Sequence, residues 1–186
     1  MPRVSEVELG DLPDAAQAAL RERASKLGPL TWQRVMAHRP RQMLQIVELM
    51  DSFSADSTMP KRLIEVAVVT VSRLNACRHC VGRHAVRLVQ DGLPAEVVAA
   101  ILDPETALLS PTERLVRDYA IAVSERSATM RDTMFEALHK ELSEPQIVEL
   151  TLRITLAGFF NRFNNALGVE LDAHHGSAAE ALKIVL

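Results

Sequence analysis

The chain has 186 residues, 48% of them apolar, a net charge of −3 and a pI near 6.1. That is enough for one domain with a sizeable core, and no basic block points to nucleic acid. There is no apolar run of the roughly eighteen residues a membrane span needs. The opening Met1-Pro2-Arg3-Val4-Ser5-Glu6 lacks the apolar segment of a secretory signal. The expected location is therefore the cytoplasm, with no membrane or nucleic-acid partner.

Aromatic residues are only 4% of the chain, so the core must come from Ala, Val, Leu and Ile. Residues 1–12 read as an extended lead-in, and residues 1–40 as an N-terminal extension without a functional signal. A first helix is predicted from Pro13-Asp14 to Gly28, with Pro29 just beyond its stop. A short helix over residues 30–38 breaks at His38-Arg39-Pro40. A third, from Arg41 to Phe53, carries Met43, Leu44, Ile46, Val47 and Met50 at helical spacing. Asp56-Ser57-Thr58-Met59-Pro60 then starts a helix through Leu63, Ile64, Val66, Val69 and Val71 to Leu74. This run is apolar on nearly every side and rich in β-branched residues. Its length and polar start favour a central buried helix over a buried strand.

Asn75-Ala76 reads as a joint, and the next helix runs to Asp91-Gly92. Leu93-Pro94 opens a short helix that ends near Asp103-Pro104. Ser110-Pro111-Thr112-Glu113 is a capping box that starts a helix to about Ser127. Residues 130–142 form another. Ser143-Glu144-Pro145-Gln146 repeats the capping logic before a long apolar helix, and a last helix begins at Ala178. No segment alternates like a strand, so the fold class is all-α, a helical bundle.

The second half of the chain echoes the first at a spacing of 84 residues. Glu149 falls opposite Glu65, Asn161 opposite Cys77, Asn164 opposite Cys80 and Gly168 opposite His84. This points to two similar helical halves, only the first of which carries thiols.

The chain's two cysteines lie three residues apart, in Cys77-Arg78-His79-Cys80-Val81-Gly82-Arg83-His84. In a helix, where each residue turns about 100°, Cys77, Cys80 and His84 fall within about 60° on one face. Thiols at a helix N-terminus are stabilised as thiolates, the reactive form, and an imidazole beside them can accept the thiol proton. His79 points roughly opposite. It joins the site only if the first turn is irregular or another element wraps around it. Glu65 has two readings. A carboxylate in so apolar a stretch either pairs with His84 or sits in an exposed first turn, where the dipole favours acids. His174-His175 reads as a solvated terminal segment, and His38 and His139 as surface or helix-end residues.

Taken together, Glu65, Cys77, Cys80 and His84 form the pattern Glu-x11-Cys-x2-Cys-x3-His. This resembles the active-site signature of the alkylhydroperoxidase D (AhpD)-like branch of the carboxymuconolactone decarboxylase superfamily. His79 matches a histidine often found between the two cysteines. The segment from Asn161-Arg162-Phe163-Asn164 to Asp172 looks like the second-half segment of AhpD-like proteins called peroxidase-related. The resemblance covers most of residues 40–172. It implies a single helical domain over residues 1–186, with a redox half at 58–102 and a second, pseudo-repeated half at 110–172. It also implies homo-oligomers, commonly trimers or hexamers.

The activity implied by the resemblance is a thiol peroxidase acting on a hydroperoxide. Cys80 would be the attacking thiol, with His84 and Glu65 as its proton relay and Cys77 as the resolving thiol. A redox-active Cys77–Cys80 disulfide would be reset by a dithiol or lipoyl-protein reductant, with no flavin, haem or metal. Two other readings fit the same residues. One is a decarboxylase-type enzyme of the wider superfamily, with His84 as acid/base. The other is a non-catalytic redox sensor or zinc-stabilised helical protein, its ligands Cys77, Cys80, His84 and Glu65 or His79.

Overall fold

The computed structural model describes residues 2–28, 30–105 and 108–184. Among them are ten α-helices and no strand: α1 Asp14–Leu27, α2 Thr31–Met36, α3 Pro40–Asp56, α4 Lys61–Leu74, α5 Arg78–Gln90, α6 Ala95–Ala99, α7 Pro111–Arg126, α8 Asp132–Glu141, α9 Glu144–Leu167 and α10 Ala173–Ala181. The all-α class expected from the sequence is the class observed.

Local capping signals set the starts of α7 and α9. Glu113 N–H donates to Ser110 Oγ at 3.2 Å, and Ser110 N–H donates to Glu113 Oε2 at 2.7 Å, so the capping box starts α7. Ser143 N–H donates to Gln146 Oε1 at 3.0 Å at the start of α9. α4 is the central buried helix that its apolar run implied. Its Thr70 and Ser72 hydroxyls donate back to the Val66 and Val68 carbonyls, both at 2.7 Å, so neither is left unsatisfied inside the core.

Two hydrophobic clusters result. The larger unites α4, α5, α7 and α9 around residues such as Val66, Val69, Leu88, Tyr119, Leu150 and Ile154. The smaller gathers the N-terminal helices around Leu20, Trp32, Val35, Met43 and Val47, and Phe160 and Phe163 of α9 pack against it.

Several expectations need correction. The last helix begins at Ala173, not Ala178. Asp172 stands at its N-cap position, but its carboxylate accepts from Thr31 N–H and Oγ1, at 2.8 and 2.7 Å, instead of capping the helix, and so ties α10 to α2. His175 is therefore partly buried beside Asp172, 3.4 Å away, rather than solvated. Residues 1–12 are not purely extended: Leu9–Asp11 forms a 3₁₀ turn. Pro29, expected just past α1, lies outside the described residues. The positions 84 residues beyond the Asn75-Ala76 joint fall inside α9, which runs on without the break that separates α4 from α5.

Candidate active site

The break between α4 and α5 aims the thiols. Asn75 closes α4, and Ala76 takes φ 49°, in the left-handed region that costs an L-residue about 1 kcal/mol or more. Neighbouring bonds hold this reversal in place. Cys77 N–H donates to Ser72 O at 2.9 Å. The Asn75 amide donates to Val71 O and to Asn161 Oδ1, each at 3.0 Å, and Asn161 Nδ2 donates to Ser72 Oγ at 3.2 Å.

Cys77 then stands at the N-cap of α5, where its sulfur accepts from Cys80 N–H at 3.3 Å. The two cysteines are joined as a disulfide, with Cα atoms 5.3 Å apart. They are not equivalent. A cavity of about 220 Å³ is lined by Cys80, whereas Cys77 is fully buried and outside the lining. Asn164 Nδ2 donates to Cys80 Sγ at 3.5 Å.

Glu65 of α4 is buried and paired. Its Oε2 lies 2.7 Å from His84 Nδ1, and its Oε1 accepts from Arg87 Nη1 at 2.6 Å. Of its two readings, the geometry gives the paired one. Burial alone would raise the carboxyl, but the neighbouring His84 and Arg87 outweigh it and hold Glu65 at about 2. An ionised carboxylate can only accept, so Nδ1 of His84 carries the proton and Nε2 is left as a free base. Burial lowers the His84 imidazole from its ordinary value, with Arg87 and Arg83 acting in the same direction against Glu65.

His79 reaches the same cavity because another element wraps around it. The strand of chain leading into α10 places Glu170 O 2.9 Å from His79 Nδ1, and the ring lines the cavity beside Cys80 and His84. Its imidazole is also lowered by burial. The five residues named from the sequence thus lie around one disulfide, four of them on the cavity wall and Cys77 behind it.

The cavity lies between the two hydrophobic clusters. Trp32, Met50 and Phe53 form the wall from α2 and α3, and Leu156 and Phe160 the wall from α9. Trp32 and Phe160 meet edge to face, centroids 4.8 Å apart. Four guanidinium groups, of Arg23, Arg83, Arg87 and Arg153, also line it.

Comparison with protein-family models and with curated proteins finds no match to this chain. Solved structures do match. An uncharacterized peroxidase-related protein from Ralstonia eutropha JMP134, described as an alkylhydroperoxidase AhpD core, superposes with a TM-score of 0.84 at 24% identity, covering 94% of each chain. The chain has an AhpD-like fold. Another uncharacterized peroxidase-related protein with this AhpD-like architecture, from Silicibacter sp. TM1040, gives 0.81 at 20% identity over 94% of each chain. The debrominase Bmp8, solved in complex with 2,3,4-tribromopyrrole, gives 0.78 at 20% identity over 96% of each chain.

On this AhpD-like frame, several wall residues were not singled out from the sequence. Arg23, Leu27 and Trp32 belong to the first 40 residues, which read as a featureless extension yet form one side of the cavity. Asn161 and Asn164 stood in the sequence as echo positions and in the second-half segment, without a site role; Asn161 clamps the joint and Asn164 touches Cys80. The ligand set considered for zinc is not assembled. Glu65 is engaged with His84 and Arg87, and no group of three or more His, Cys, Asp or Glu is placed to hold a metal among the described residues. No helix among them is long and apolar enough to cross a membrane.

Proposed function

We propose that the chain is a thiol-dependent peroxidase that cycles between the Cys77–Cys80 disulfide and a dithiol. The observation that carries this reading is the inequality of the two sulfurs: Cys80 lines the cavity with His84, and Cys77 is sealed behind it. In the dithiol form, Nε2 of His84 takes the Cys80 proton, and Glu65 stabilises the resulting imidazolium. The α5 N-terminus and the Asn164 amide favour the thiolate.

The thiolate attacks the distal peroxide oxygen and the O–O bond breaks. Cys80 becomes a sulfenic acid, and the departing alkoxide takes a proton from His84 to leave as an alcohol. Cys77 then attacks the Cys80 sulfur, forming the disulfide and releasing water. An external dithiol, such as a lipoyl group on a partner protein, restores both thiols by exchange and is itself oxidised. We place this cycle in the cytoplasm, where such dithiols are kept reduced.

The test is peroxide consumption with a dithiol donor in Cys80→Ser and Cys77→Ser proteins. Neither should turn over; full turnover by both would exclude the reading. Activity that survives loss of both thiols would instead favour the decarboxylase-type use of His84.

A second reading shares the same half-reaction. The aromatic wall of Trp32, Phe53 and Phe160 can face a halogenated ring. Cys80 would take the bromine as a sulfenyl bromide while the ring carbon keeps the bond electrons and gains a proton. Cys77 would then expel bromide as the disulfide forms. Bromide release from a bromopyrrole, measured with the same dithiol, separates the two.

Self-association is part of the proposal. α9 exposes Val148, Leu152 and Phe159 on its outer side while its other side lies in the core. A second copy covering that strip would bury it, and light scattering of the wild type against Leu152→Asp tests this.

A further inference from the structure

Arg83 differs from the other cations around the cavity. Arg23 pairs with Asp51, Arg87 with Glu65 and Arg153 with Glu149. Arg83 is only 7% exposed, yet among the described residues it makes no hydrogen bond or ion pair. The acids whose field reaches it do not bond it: Asp172 accepts from Thr31 through Oδ1 and turns Oδ2 toward His175, 3.4 Å away, and Glu65 is taken by His84 and Arg87. Its nitrogens are not sealed in, because the group borders the cavity.

A buried guanidinium without a partner is costly. Burial, with Arg87 beside it, pushes Arg83 down to about 10, which still leaves it cationic near neutral pH. The rest of the wall is largely apolar and includes Trp32, Phe53, Ile64 and Phe160. The volume of about 220 Å³ exceeds the roughly 150 Å³ that holds a benzene ring. It accommodates about one ring with small substituents.

We propose that the cavity takes a small organic anion, a compound of about one ring whose carboxylate pairs with Arg83 while its apolar body lies against Trp32 and Phe160. The planar fork of a guanidinium matches a carboxylate through two parallel hydrogen bonds. The proposal rests on the peroxidase reading only in naming that reading's substrate class, a hydroperoxide bearing a carboxylate. The anion site itself has a separate readout.

That readout is calorimetric titration of the disulfide form, which cannot turn over, with para-isopropylbenzoate and with its neutral amide. The acid should bind at least about tenfold tighter than the amide, as expected for a charge-assisted, two-pronged pair. Arg83→Gln should abolish the preference. Arg83→Lys, which keeps the charge but not the fork, should retain part of it. Equal wild-type affinity for acid and amide overturns the proposal without any variant. So does absence of binding, or a preference that survives in a folded Arg83→Gln protein. Kinetics then separate the two readings, using cumene hydroperoxide and its para-carboxy derivative with a dithiol donor. Selective binding of the acid without reduction of either peroxide removes the peroxidase reading and leaves the anion site standing. Reduction of both with equal kcat/KM leaves the peroxidase reading standing and overturns the carboxylate-bearing hydroperoxide as its substrate class.

Discussion

Replacing Glu65 by Gln preserves shape and removes one buried negative charge. Two charge-assisted hydrogen bonds are lost, at 2.7 Å to His84 and 2.6 Å to Arg87. Each is worth about 1.5–3 kcal/mol, but the Arg87 side chain is 41% exposed, so water recovers much of that one. A loss of about 3 kcal/mol follows. Linkage gives the same size. The carboxyl is held at about 2 instead of 4.5, and each pKa unit is worth about 1.4 kcal/mol.

Because the folded value is the lower one, this stabilisation is complete above about pH 4.5 and drains away as pH falls toward about 2. Urea unfolding near neutral pH should therefore find the Gln variant about 3 kcal/mol less stable, and the gap should shrink to less than half near about pH 3. A gap that does not change with pH would refute the ionised, paired carboxylate. The same variant has one acceptor oxygen left for His84 and Arg87 together, and its NH2 can only donate, so the His84 tautomer is no longer held. Its kcat/KM for peroxide should fall about a hundredfold, the low end of a positioned general base's contribution.

Cys77→Ser should consume one equivalent of peroxide, hold Cys80 as a sulfenic acid that a dimedone-type probe labels, and then stop. Serine is itself a good N-cap, so α5 should remain folded. Asn164→Ala removes the donor to Cys80 Sγ. It should raise the thiol pKa in an ultraviolet thiolate titration and slow peroxide reduction roughly threefold to tenfold, the worth of about one hydrogen bond. Burial lowers both His79 and His84 from the ordinary 6.5. The unfolded chain therefore binds those protons first, and stability should decline as pH drops below about 6.5, by denaturant midpoints at a series of pH values. Trp32→Ala opens the wall at a buried ring that meets Phe160 and should cost about 3–5 kcal/mol, read as a lower thermal midpoint.

The elements legible in the sequence were those specified locally. Ser110 and Glu113 fix the start of α7 by bonds to each other's backbone, and the run from Leu63 to Val71 could only be buried. Spacing along one helix also placed Cys80 and His84 on one face. The start of α10 was misread because the residue before it, Asp172, is fixed by Thr31, 141 positions away, and not by a local capping bond. His79 was placed outside a regular α5 site for a related reason: Glu170, which turns it into the wall, comes from a distant loop. Arg23 and Trp32 give no local sign of a site, since Arg23 is set by Asp51 of α3 and Trp32 by Phe160 of α9. Arg83 sat in plain view inside the motif. Its lack of a partner is a property of three dimensions.

The cavity's position between two hydrophobic clusters separates the residues that react from those that shape the space beside them. The sulfurs, Glu65 and His84 are carried by α4, α5 and the cap of α5, helices of the larger cluster, whereas Trp32, Met50 and Phe53 belong to helices of the smaller one. Substitutions in α1 to α3 can reshape what fits the cavity while leaving the thiols where they are. A lineage built on this frame can change its diet without relearning its chemistry.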